Sequence, residues 1–198
     1  SIISFEENGV PFAFTADPVE PARLLHCSSL PFDPALLQPG ARPFMNMAEL
    51  HAAGENQNDH HGSKHTGNMP SGRLIYQGHQ DEYNALGRSL TVTQCADGVT
   101  VISHYQFYTD IPVIRAWTEV VNVGGEPLGL EYLASFALTG LEKEGLLPWK
   151  DKMQLAVPHN TWVYEAQWQG YTLPELGLYP KNDFSPTRIS STTTGSWP

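Results

Sequence analysis

Between Val99 and Leu141 apolar and polar positions alternate in three successive runs. In Val99 to Tyr108 the residues Val99, Val101, Tyr105 and Phe107 fall on one face, with Thr100, His104 and Gln106 on the other. Asp110-Ile111-Pro112 breaks the run. Val113 to Val121 then sets Ile114, Ala116 and Val120 against Arg115, Trp117 and Glu119. Asn122 to Pro127 carries adjacent glycines and reads as a turn. Gly129 to Thr139 is a third run, apolar on nearly both sides and so expected at the centre of a sheet under a second layer. A period of two in β-branched and aromatic residues, punctuated by Gly, Pro and Asp, predicts an antiparallel meander.

The rest of the chain reads as strands added to this block. Ile2 to Phe5 and Val10 to Thr15 flank Asn8-Gly9, a hairpin turn signal. Arg23 to Ser28 is a further candidate strand. Prolines 31, 34, 39 and 43 make Leu30 to Phe44 irregular, because proline excludes central strands and long helices. Met45 to Ala53 fits a strand or one helical turn. Gly54 to Gly72 is long, polar and rich in glycine and histidine, as functional loops on β scaffolds often are. Arg73 to His79 reads as a strand, Gln80 to Gly87 as a polar turn, and Arg88 to Cys95 as a strand joined through Asp97-Gly98 to the meander. Glu142 to Lys152 is a charged connection. Met153 to Val157, Thr161 to Gln169 and Arg188 to Thr193 are strand candidates, and Leu173 to Tyr179 is a short helix with Pro174 at its start. The class is therefore all-β with two packed sheets, expected as a single domain over residues 1–198.

Composition narrows the function classes. A 198-residue chain that is 40% hydrophobic and 16% charged is ordinary globular material, with no apolar run near the twenty residues of a membrane span. Ser1 to Phe14 has Glu6 and Glu7 in place of a basic leader, so no signal peptide is expected. Cys27 and Cys95 make no disulfide framework and read as two reduced thiols, which suits a cytoplasmic location. A net charge of −10 argues against nucleic acid and anionic membrane as partners, since both require a positive surface. A neutral ligand such as a sugar remains compatible.

Four groups of residues carry candidate chemistry. Asp59, His60, His61, Lys64 and His65 are crowded into the long loop. His61 and His65 have the spacing of a helical metal pair, but the surrounding Gly, Asn and Ser oppose a helix and no second cluster completes a tetrahedral site. No metal or other cofactor is expected, and the loop reads as one that touches a polar ligand or a neighbouring subunit. Trp162, Tyr164 and Trp168 share a strand face, which is expected to pack on a second sheet, with a saccharide platform as the alternative. Trp197, held between Gly195-Ser196 and Pro198, is a candidate for docking into a pocket. Glycoside hydrolysis needs paired carboxylates. Asp59, Asp81, Asp110, Glu119 and Glu165 are available, but no spacing joins two of them, and Asp81 and Asp110 are expected in turns.

Several motifs in order resemble one family. SFALTGLEKEG, PHNTWVYEAQWQGYTLPELGLY and RISSTTTGSWP, with the loop GENQNDHHGSKHTG before RLIYQGH and the meander HYQFYTDIPVIRAWTEVVN, look like the N-terminal domain of bacterial α-galactosidases of glycoside hydrolase family 36. The similarity runs from about Ala48 to the last residue. The resemblance implies a β-supersandwich of the galactose-mutarotase type, two large antiparallel sheets preceding a catalytic (β/α)8 barrel. The barrel would supply both catalytic aspartates of a retaining mechanism, so this fragment alone is expected to be inactive. The resemblance assigns substrate contacts to Trp197 and Asp59, with Lys64 and His65 as rivals within the loop. It also implies an α-galactoside substrate, the chain's own barrel as partner, and a homotetramer. The other reading is a free-standing sugar-binding or mutarotase-like domain, for which His104 or His159 with Glu165 would be the acid–base pair.

Overall fold

The computed structural model describes residues 1–37, 44–55, 67–138, 151, 153–161 and 163–178. The chain divides into two compact units, Ser1–Leu141 and Glu142–Pro198. Its regular structure is overwhelmingly β, in several antiparallel sheets.

In the first unit, strands β1 (Ile2–Glu7) and β2 (Val10–Thr15) form the expected hairpin. Asn8 and Gly9 both take positive φ, 50° and 75°, the geometry that a tight two-residue turn demands. Strand β3 (Leu24–Cys27) adds to β2. A bridge between Arg23 and Asn46 then leads toward β4 (Leu50–Ala52), so Met45 to Ala53 resolves into bridge and strand rather than a helical turn. The short helix α1 (Met69–Arg73) lies inside the stretch expected to be loop and takes Arg73 from the expected strand.

The second layer is the sheet β5 (Ile75–Asn84), β6 (Gly87–Ala96), β7 (Val99–Phe107) and β8 (Ile114–Asn122), in that order. Two expectations are corrected here. Gln80 to Gly87 is not a turn region, because β5 runs through it to Asn84. As an edge strand β5 need not be apolar, and its bulge near Gln77 and its charged Asp81 and Glu82 discourage further strand pairing. The third run of the meander also departs from expectation. Among its described residues only Leu130–Leu133 forms a strand, β9, and it pairs with β4 instead of β8. Thr118 on β8 donates its hydroxyl to the carbonyls of Ala134 and Ser135 (3.2 and 3.4 Å), where a ladder would have continued.

The two layers meet through one face of each. Register pairs Leu90 with Tyr105 and Tyr105 with Ala116, so the alternation expected along β7 and β8 holds. Phe12, Phe14, Leu24, Leu90, Val92, Tyr105 and Phe107 form the main core. The Phe12 ring meets Tyr105 at 5.0 Å and Phe107 at 5.5 Å, both edge to face, the favoured aromatic geometry. Gly87 is required where it stands. Its φ is 137°, and a Cβ there would come within 2.3 Å of the Phe107 carbonyl oxygen.

The second unit contributes β10 (Gln154–Thr161) and β11 (Tyr164–Thr172), an antiparallel hairpin, followed by one 3-10 turn at Pro174–Leu176. Strand β10 runs on past Val157 to Thr161, and β11 is as long as expected but begins three residues later, at Tyr164. The proline that opens the helical turn is tolerated there, as expected. The candidate strand Arg188 to Thr193 and most of the charged connection 142–152 lie outside the described residues.

Candidate functional site

Asp59 and Trp197, the two expected substrate contacts, lie outside the described residues, as do His60, His61, Lys64, His65 and Trp162. Both ends of the histidine-rich run are described, and each is fastened by a carboxylate. On the C-terminal side Glu49 is fully buried. Its Oε1 accepts from the Gly67 amide at 2.6 Å and from Asn46 Nδ2 at 3.1 Å. Its Oε2 accepts from the Asn68 amide and side chain at 3.4 and 3.3 Å. Among the described residues Glu49 thus has four neutral donors, as a buried carboxylate requires. Asn46 in turn accepts from the Arg23 guanidinium.

On the N-terminal side Glu55 takes a two-pronged bond from Arg73, with Nη2 at 2.6 Å and Nη1 at 3.2 Å. Arg73 Nε also donates to Asp97 Oδ2 at 2.7 Å. Asp97 opens the β6–β7 turn with φ 48°, so its position is set by the hairpin. These three side chains stand at the rim of a cavity of about 230 Å³. Two carboxylates therefore do share a cavity, the arrangement a glycosidase would need. The electrostatics at Glu55 are of the opposite kind. A glycosidase acid must be held protonated near neutral pH. Arg73, by its hydrogen bonds first and its charge second, pulls the Glu55 carboxyl below its ordinary range. A guanidinium between the two groups also occupies the place of the scissile bond.

The other candidate carboxylates are engaged or isolated. Asp81 is in β5, not in a turn, and receives Arg88 Nε and Nη2 at 2.8 and 2.6 Å. Those bonds lower its pKa. Arg88 lies 3.5 Å over the Phe5 ring and 3.7 Å from Glu7, and Tyr83 donates to Glu7 at 2.9 Å, so this cluster closes one end of the core. Asp110 sits in its expected turn with φ 61°. Glu119 stands 3.2 Å from His104 Nε2, and the His104 ring stacks on Trp117 at 4.6 Å, nearly parallel. The two histidines considered as acid–base partners of Glu165 each have a neighbour on their own sheet. His104 meets Glu119, and His159 Nε2 lies 2.7 Å from the Tyr171 hydroxyl.

The aromatic strand is corrected too. Tyr164 and Trp168 are 66% and 67% exposed rather than packed under a sheet. Nor do they share a face. Tyr164 pairs with Thr161 and Trp168 with Pro158, three positions apart on β10 and so on opposite sides of the hairpin. The extra residue falls at Glu165–Ala166, where Ala166 takes φ 53°, a β-bulge that resets the alternation.

Among the described residues no three His, Cys, Asp or Glu side chains gather as a metal would require, and no helix is long and apolar enough to cross a membrane. Glu49, Arg73 and Arg88 were not singled out by the sequence reading. Their only signal is charge flanking apolar strands, which solvated residues share. Comparison with family models, curated proteins and solved structures finds no match to this chain.

Proposed function

We propose that this chain is the non-catalytic N-terminal domain of a retaining α-galactosidase of glycoside hydrolase family 36, with the β-supersandwich fold of that domain. In the whole enzyme it borders the entrance for terminal α-galactosides, lends Asp59 and Trp197 to the substrate, docks on its own catalytic barrel and supports a cytoplasmic homotetramer. The observation that carries this reading is the ordered set of motifs from the loop GENQNDHHGSKHTG to the end GSWP. Two features of the fold support it. The chain is all-β with facing antiparallel sheets. The carboxylates Glu49, Glu55, Asp81 and Asp97 hold amides or arginines, which is structural work. The test is the coding sequence after Pro198 and the activity of its product. A (β/α)8 segment with two aspartates at strand ends, active on p-nitrophenyl α-galactoside when joined to this chain, is expected. A stop codon at that point, or an unrelated segment, overturns the proposal.

A further inference from the structure

We propose that the cavity rimmed by Glu55, Arg73 and Asp97 is a binding site for a small neutral polyhydroxylated ligand with one apolar face, a single pyranose ring being the type. The site is separate from the hydrolase reading and needs no catalysis. Much of its lining is apolar: Leu50, Leu74, Val99 and Leu128, drawn from β4, the end of α1, β7 and the approach to β9. Its rim is charged, and the arrangement of that charge selects the ligand. Arg73 bonds to both carboxylates. An incoming cation would meet its guanidinium at close range, and an incoming anion would meet Glu55 and Asp97. Two carboxylates against one guanidinium leave the rim net negative, which repels an anion, and a cation would have to displace Arg73 from the carboxylates it already pairs.

A neutral ligand meets unused hydrogen-bonding capacity. Arg73 has five N–H groups and spends three on Glu55 and Asp97. The two left over, with the carboxylate of Asp97, offer donors and an acceptor to adjacent hydroxyls. Charge-assisted bonds of this kind are the stronger ones. The C–H face of the same ring would lie on Leu50, Leu74, Val99 and Leu128. A volume of about 230 Å³ is below the range of drug-sized pockets and suits one ring rather than a chain of them. The rim is also preorganised. The β6–β7 turn fixes Asp97, and the two-pronged bond to Glu55 fixes Arg73, so little ordering is left for the ligand to drive.

The experiment is a two-dimensional amide NMR titration of the chain with methyl α-D-galactoside and methyl β-D-glucoside. Isopropylammonium and isobutyrate serve as charged probes of smaller size. Saturable millimolar shifts at Ala52, Ala96 and Gly98 with at least one pyranoside, and none with the ions, are expected. Asp97→Asn keeps a side chain that tolerates the left-handed turn and removes the charge; it should weaken binding about tenfold. Leu128→Trp, at a half-exposed wall, should abolish it by filling the space. No saturation by either pyranoside, saturation by an ion instead, or pyranoside binding indifferent to both variants would each overturn the proposal. Binding without hydrolysis supports this site and leaves the galactosidase reading to its own test.

Discussion

Aromatic residues alternate along β2 and β7 in the first unit and recur at even sequence spacing in β11 of the second, at Tyr164 and Trp168, and they end in opposite environments. Phe12, Phe14, Tyr105 and Phe107 are 1% exposed or less, whereas Tyr164 and Trp168 are two-thirds exposed. The difference lies in what faces each strand. In the first unit a three-stranded and a four-stranded sheet present their apolar faces to each other. The second unit's described sheet is a two-stranded hairpin, an arrangement that buries little by itself. A period of two therefore reports a strand. Burial depends on a second layer that the strand's own sequence does not encode.

The largest effect should separate these regions. Phe12→Ala removes a ring that touches Phe5, Tyr105 and Phe107 and is expected to cost about 4 kcal/mol. Trp168→Ala should stay within about 0.5 kcal/mol. Urea unfolding followed by circular dichroism measures both, and similar costs would erase the contrast.

Next comes the buried carboxylate. Glu49→Ala strands the Gly67 and Asn68 donors in the interior and should cost about 3 kcal/mol. An effect near zero would mean that this anchor of the loop root is not under load.

The ion cluster at the end of the core ranks third. Arg88→Ala, which loses the Phe5 contact and leaves Asp81 without its partner, should cost about 2 kcal/mol. The pH dependence has a definite sign. The pKa of Asp81 is lowered in the folded state, so its contribution is complete above the unfolded value of about 3.9. It is lost as pH falls from there through the depressed folded value. Asp81→Asn should thus destabilise by at most about 1 kcal/mol at neutral pH. It should also flatten the acid limb of the stability profile. A limb of unchanged steepness would contradict the assignment.

The smallest effect belongs to the hairpin. Val163 and Ala166 hold φ of 69° and 53°, unfavourable for side chains with a Cβ. Val163→Gly and Ala166→Gly should each protect the β10–β11 amides against hydrogen exchange by about 0.5–1 kcal/mol. Faster exchange would show that the bulge is held by the side chains themselves.

These contrasts also mark how far the sequence could be read. The hairpins at Asn8-Gly9 and Asp97-Gly98 were legible because a two-residue turn restricts both residues to positive φ, and few sequences satisfy that. The inward face of β7 and β8 was legible because Val101, Tyr105 and Ala116 keep strict alternation. The second half of β5, Gln80 to Asn84, was misread as a turn because an edge strand with solvent beside it tolerates Gln80, Asp81 and Glu82. The bulge in β11 was invisible because Glu165-Ala166 contains neither glycine nor proline to announce it. The charged rim of the cavity joins residues 55, 73 and 97, brought together by pairing that no local pattern specifies.

The most direct test is enzymatic. Purified residues 1–198, incubated with p-nitrophenyl α-galactoside, should release no p-nitrophenol above the uncatalysed rate, because a carboxylate held ionised by Arg73 cannot protonate a leaving group. Saturable turnover that disappears in Glu55→Gln or Asp97→Asn would place a catalytic pair inside this chain and contradict the account.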